Sequence, residues 1–249
     1  MGMAVLRACT ALVFTACCVL AQAATTTLVI PAASDTSLFS DSENSDGAGS
    51  HLWVGQTNGG WNMRALVRFD LSAVPPDQQV VAARLRIFMS MTISPGREIV
   101  VRRLGNAWGE GTSFAGSGTG APASANDATW DFRVYGSRVR WATPGGDFVE
   151  GAPSAVTTVG VRGATYTWQG PGLVADVQHW RTFPAENHGW ILIGDETERS
   201  AMRFNSRGGF GGPVLELDLI PAAGDVPIPI GWLLIGGAAL LGSALMRRR

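Results

Sequence analysis

The chain has 249 residues, 46% hydrophobic and 16% charged, with a formal charge of −1, so it holds enough apolar material for a globular core and exerts no global pull on nucleic acid. Its 32 glycines against so little charge favour many turns and short strands over long charged helices. Lysine is absent, so all nineteen basic residues are arginine.

The amino terminus reads as a secretory signal over residues 1–23. Arg7 supplies the positive end, Ala8 to Leu20 the apolar stretch, and Ala21-Gln22-Ala23 a small-residue site with cleavage after Ala23. A lipoprotein reading at Cys17 has a poor lead-in in Phe14-Thr15-Ala16. Cys9, Cys17 and Cys18 all fall inside the segment to be removed. The exported protein is therefore expected to use neither disulfides nor thiolate chemistry.

Next comes "DTSLFSDSENSDG" at Asp35 to Gly47, which groups Asp35, Asp41, Glu43, Asn44 and Asp46 in a stretch expected to be flexible. Hard oxygen ligands of this kind suit a structural calcium, although the spacing is not that of a helix-loop-helix calcium loop. A solvated acidic loop is the plain alternative.

Period-two patterns follow. Ala65, Val67, Phe69 and Leu71 alternate with Arg64, Leu66, Arg68 and Asp70, and Ala83, Leu85, Ile87 and Met89 alternate with Arg84, Arg86, Phe88 and Ser90. Leu215, Leu217 and Leu219 alternate with Glu216 and Asp218 in a last strand. Further strands are predicted over 25–30, 51–54, 98–104, 156–161, 190–193 and 201–205. Leu173, Val177 and Trp180 recur at helical spacing and predict one short helix. Short strands, glycine-rich connections and no βαβ alternation predict an all-β fold, a β-sandwich with one short helix, over residues 24–220.

Two features of this domain point to sugar binding. Trp61, flanked by Asn58-Gly59-Gly60 and Asn62, and Trp141, followed by "ATPGG", are the expected exposed platforms on which pyranose rings stack. Trp108, Trp130, Trp168 and Trp180 sit beside apolar neighbours and read as packing residues. If their strands are neighbours, Arg64, Arg68, Arg84, Arg86 and Arg102 form one basic strip able to grip uronic acids or sulfates. The alternative is a solvated face paired with Asp70, Glu98 and Glu216, and Leu66 on the same face implies that part of it is covered.

Catalysis has no assembled signature. There is no Gly-x-Ser-x-Gly elbow, His-Glu-x-x-His or phosphate loop, and His51, His179 and His188 are scattered. Glu110 with Asp131, or the adjacent Asp195 and Glu196, are the carboxylates weighed for a glycosidase pair, and adjacent residues on a strand face opposite sides. A polysaccharide lyase or hydrolase is accordingly the weakest reading, behind a non-catalytic polysaccharide binder and a structural envelope or biofilm-matrix protein.

The carboxyl end closes the layout. A linker and motif over 221–229 precede Ile230 to Met246, seventeen residues without a charge, which at ~1.5 Å per residue reach about 26 Å and just span a membrane. Arg247, Arg248 and Arg249 would stay on the cytoplasmic side, so residues 230–249 read as a transmembrane helix with a basic end. Val226, Pro227, Ile228 and Pro229 with this run and arginine cluster resemble the PEP-CTERM type of sorting tail, in its VPLPA-like variant, of exported proteins in Gram-negative bacteria. The resemblance implies an exosortase-type membrane protease as partner, transient anchoring in the inner membrane, and final placement at the cell surface, outer envelope or extracellular matrix.

The domain itself resembles a known family. "RALVRFDLS" from Arg64, "AARLRIF" from Ala82, "AWGEG" from Ala107, "ATWDFR" from Ala128, "WATPGGDF" from Trp141, "GLVADVQHW" from Gly172, "NHGWILIGDE" from Asn187 and "RFNSR" from Arg203 are similar, in order, to the DNRLRE domain. Arg64, Leu66 and Arg68 fit its R-x-L-x-R core and Asp35 its opening Asp. Gln169-Gly170-Pro171 and Gly208 depart from its pattern, where acidic groups are usual. The resemblance implies a secreted, jelly-roll-like β-sandwich related to carbohydrate-binding modules, with extracellular polysaccharide as partner.

Overall fold

The computed structural model describes residues 24–222. The signal segment with its cleavage site Ala23, the sorting motif Val226 to Pro229, the apolar run and the terminal arginines lie outside the described residues. Among the described residues no helix is long and apolar enough to cross a membrane.

The fold is mostly β. In chain order its strands are β1 (Thr26–Phe39), β2 (Asn44–Ser45), β3 (His51–Gln56), β4 (Asn62–Phe69), β5 (Gln78–Thr92), β6 (Arg97–Arg103) and β7 (Ala121–Pro122). Then follow β8 (Phe132–Val134), β9 (Val139–Arg140), β10 (Ala155–Val159) and β11 (Ala164–Gln169). After the helix α1 (Pro171–Thr182) and a 3-10 turn at Pro184–Glu186 come β12 (Trp190–Ile193), β13 (Met202–Asn205) and β14 (Val214–Pro221).

All strand pairings are antiparallel; apart from two small ribbons, β2 with β7 and β8 with β9, they fall into two sets. In the first, β14 pairs with the start of β1 and with β5, β13 continues along the same edge of β5 and pairs with β3, and β11 takes the other edge of β5. In the second, β4 lies between the end of β1 and β12, followed by β6 and β10, with β3 meeting β4 at its tip. β1 and β3 serve both sets, so β1, β14, β5, β13, β3 and β4 form a closed circuit with few free edges.

β1 changes sets through a register shift between Ala32 and Ser34, the place where a bulge bends a strand. Its first half alternates exposed and buried residues, and its second half is buried throughout. Ser34, Asp35, Thr36 and Ser37 are thus interior, contrary to the flexible acidic loop expected from Asp35 onward. The cause is a cover over both faces of the strand.

One core fills the space between the two sets: Val67 and Phe69 of β4, Leu85 and Ile87 of β5, Trp190 and Leu192 of β12, and Leu215 and Leu217 of β14. Each is an alternate residue of a strand, as period two requires. The helix adds Leu173, Val177 and Trp180 from one face, and Trp180 meets Trp190 with ring centroids 4.7 Å apart. A second cluster lies on the outer side of β4, where Leu38, Leu66 and Ile191 pack under Leu104, Trp108, Ala128 and Trp141. The long connection between β6 and β10 is therefore a lid on that face, and Leu66 is covered as its apolar character implies.

Gly189 shows how closely the lid's neighbour is held. Its φ is +81°, and a Cβ there would stand 2.1 Å from the Val67 carbonyl oxygen. Only glycine lets the chain enter β12 at this approach.

Candidate functional site

The expected sites separate in three dimensions. Trp61 stays on the surface, 51% exposed, in the turn joining β3 to β4, where Thr57 N–H donates to the Trp61 carbonyl at 2.8 Å. Trp141 does not: it is 4% exposed, and its Nε1 donates to the Thr129 carbonyl at 2.9 Å. The turn that follows it is exposed, but the ring is drawn inward to cover Leu66 and Ile191. Trp108, Trp168 and Trp180 are buried as packing residues, while Trp130 is half-buried.

The arginines form no single strip. Arg64 and Arg68 lie on β4, Arg102 on β6, and Arg84 and Arg86 on β5, which belongs to the other set of pairings and does not neighbour β4. Arg64 is committed to Glu196 through Nε at 2.7 Å and Nη2 at 2.8 Å, donates from Nη1 to the Gly145 carbonyl, and lies 4.9 Å from the centre of the Trp130 ring. Arg84 pairs with Asp218 at 2.6 Å and Arg86 with Glu216. Arg102 donates to the Gly151 carbonyl and lies over the Phe148 ring. Arg64, Arg84 and Arg86 are paired, as the alternative had it, but of its named acids only Glu216 takes part, with Asp218 and Glu196 as partners that the spacing did not reveal; Arg102 has only neutral partners.

The acidic stretch also divides. Asp35 and Asp46 are each 1% exposed, and Asp46 feels the charge of Asp35. Asp41 lies on the surface, and Glu43 accepts from the Tyr135 hydroxyl and faces Arg138. Asp35 accepts from the Ser206 hydroxyl at 3.0 Å and from Arg207 N–H at 2.7 Å. Burial pushes its carboxyl up to about 6 despite those bonds. Asp46 accepts from Ala115 N–H at 2.8 Å through Oδ1, while Oδ2 has no hydrogen-bond partner, the Trp53 side chain standing nearby outside bonding geometry. Burial, with Asp35 and Asp127 adding repulsion, raises Asp46 to about 7. The four expected calcium ligands thus do not converge, and among the described residues no three His, Cys, Asp or Glu are arranged to hold a metal ion.

Nor do the weighed carboxylate pairs assemble. Glu110 is held by Arg207 at 2.7 and 2.9 Å and Asp131 by Arg140, while Asp195 turns to Arg97 and Glu196 to Arg64.

One predicted residue keeps a free charge in a shaped place. Arg68 opens into a cleft of about 300 Å³, at the small end of ligand pockets, lined also by Ser34, Trp108, Glu110, Asn126 and Arg133. Arg68 Nη2 donates to the Ser34 hydroxyl at 3.1 Å and Arg133 Nη1 to the Ala107 carbonyl at 3.0 Å. Both acceptors are neutral, and neither guanidinium has an ion-pair partner within 4.0 Å among the described residues. Glu110, the acid in the cleft, is neutralised by Arg207, and Asp70 feels the Arg68 charge without contacting it. His188, whose carbonyl accepts from Trp108 Nε1 at 2.8 Å, has its imidazole held below the usual value by burial and by Arg68, Arg133 and Arg103, against the opposing pull of Glu186. The neighbourhood is therefore positive, with planar forks pointing at space rather than at carboxylates.

Arg133 was not among the expected ligands. It belongs to the lid, in "ATWDFR", and only the lid's seating over β4 brings it to Arg68.

No protein-family model matches the chain, and no match to it is found among curated proteins.

Proposed function

We propose that the chain is an exported, non-catalytic, jelly-roll-like β-sandwich of the DNRLRE kind that binds an acidic extracellular polysaccharide. The observation that carries this reading is the cleft in which Arg68 and Arg133 stand without ion pairs while Arg64, Arg84 and Arg86 are all neutralised. A carboxylate or sulfate on a sugar accepts bidentate bonds from such forks, and Asn126 and Ser34 supply the neutral hydrogen bonds that hydroxyls need. Two like charges held in one cleft also repel, and an anion between them relieves that repulsion.

The signal segment ending at Ala23 and the Val226 to Arg249 tail support placement outside the inner membrane after processing by an exosortase-type protease. Calcium has no part in this reading, because among the described residues no three acidic side chains are grouped to hold it. Affinity electrophoresis of the purified full-length chain through gels containing acidic or neutral polysaccharides tests the proposal. Acidic glycans should retard it and neutral ones should not; uniform indifference would favour a structural role in the envelope or matrix, and release of sugar products would reveal an enzyme.

A further inference from the structure

A second surface is built from alternate residues of three neighbouring strands. On β3, Leu52 and Val54 point into the core, so His51 and Trp53 point out; on β13, Met202 and Phe204 point in, so Arg203 and Asn205 point out. On β5, Ile87 and Met89 point in, leaving Phe88 and Ser90 outside. The register sets Arg203 opposite Trp53 and Asn205 opposite His51.

The side chains in this patch are organised around the arginine. The Arg203 guanidinium lies 5.9 Å from the centre of the Trp53 ring, and its Nε donates to the Ser90 hydroxyl at 2.9 Å. His51 and Trp53 rings are 6.3 Å apart. Arg203 has no ion-pair partner within 4.0 Å among the described residues. At the margin, Asn205 Nδ2 donates to the Phe210 carbonyl at 2.5 Å and fixes the base of a loop whose Phe210 ring is 96% exposed.

The same loop borders the Arg68 cleft through one side-chain pair. Arg207, two residues past Asn205, holds Glu110 at 2.7 Å, and Glu110 lines that cleft. From Arg203 to Arg207 the chain spans at most about 13 Å, taking ~3.3 Å per residue. Aromatic faces, an uncompensated guanidinium and an amide are the groups that meet the apolar faces, charges and hydroxyls of a sugar chain.

We infer that Arg203 and Phe210, with Trp53 packed between Arg203 and Gly118 of the lid as their support, form a platform beside the Arg68 cleft, and that one polysaccharide chain lies across both. This rests on the acidic-polysaccharide reading but makes a separate demand: ligand length must matter. A monomer fills the cleft alone, whereas an oligomer also contacts the platform.

The test is titration of the purified full-length chain with sodium glucuronate and with a long uronate oligomer. The oligomer should bind more tightly than the monomer, and Phe210→Ala and Arg203→Gln should each weaken it about tenfold while leaving glucuronate binding unchanged. Phe210 is so exposed that its truncation does not threaten folding, and near-ultraviolet circular dichroism verifies this for both variants. The platform is overturned, with the cleft still standing, if glucuronate binds and neither variant changes oligomer affinity. Failure of the unaltered chain to bind either compound overturns the acidic-polysaccharide reading and the platform together.

Discussion

Arg64 and Glu196 are locked in a two-pronged pair, with Nε and Nη2 at 2.7 and 2.8 Å from the two carboxylate oxygens. Arg68, four residues further along β4 and on the same face, has no such partner. Two arginines of one motif thus have opposite roles, the first bracing the lid against β4 and the second facing open space.

Separating these roles gives the first prediction. Glu196→Ala should destabilise the fold by about 1 to 2 kcal/mol in urea denaturation, a modest value because both side chains remain partly wetted, and should leave glycan binding intact. Arg68→Ala should do the reverse, leaving the urea midpoint nearly unchanged and removing most of the retardation by acidic glycans.

Trp141 is expected to matter for stability and not for sugar contact. Its burial in the cluster with Leu66 and Ile191 predicts a loss of about 3 to 5 kcal/mol for Trp141→Ala. Trp61→Ala, at an exposed turn, should change stability by less than about 0.5 kcal/mol. Thermal melts of the two variants check both.

Asp46 makes the fold sensitive to pH in a defined direction. Its folded carboxyl titrates at about 7 against an ordinary 3.8, so the native chain holds the proton more tightly than the unfolded chain. That contribution to stability is complete below 3.8 and is lost as pH rises through about 7; Asp35, raised to about 6, acts in the same sense. Asp35, Asp127, the Ala115 N–H and the Trp53 side chain are the groups around it. Asp46→Asn should flatten the decline in urea midpoint between about pH 4 and pH 8 and stabilise the chain at the upper end by roughly 1 to 2 kcal/mol.

Gly189 predicts a backbone effect. Any side chain at its positive φ meets the Val67 carbonyl, so Gly189→Ala should cost more than the ~1 kcal/mol of an ordinary helix or strand glycine substitution. A drop in melting temperature measures it.

Much of the architecture is legible from alternation. The patterns from Arg64, Ala83 and Leu215 became β4, β5 and β14, residues 190–193 became β12, and Leu173, Val177 and Trp180 are the buried face of α1. The second half of β1 is not legible, because Ser34 to Ser37 are polar yet buried from both sides by a lid whose position depends on distant contacts. β11 carries "ATYTWQ", whose mixed exposure hides its alternation.

The candidate site was legible only in part. Arg68 stands out in its motif, but nothing local distinguishes it from Arg64, whose neutralising Glu196 is 132 residues away. Arg133 reaches the cleft from the lid. Trp53 and Arg203 could have been marked by the outward positions of "HLWVG" and "MRFN", since an aromatic and a charge recurring opposite each other in two strands is a surface signal.

The most direct test of the account is the affinity of sodium glucuronate for the unaltered chain and for the Arg68→Ala, Arg133→Ala double variant, measured by titration at low and at raised salt. Binding to the unaltered chain should weaken with salt and be lost in a double variant that remains folded. Equal affinity in the two proteins, or binding indifferent to salt, would contradict it.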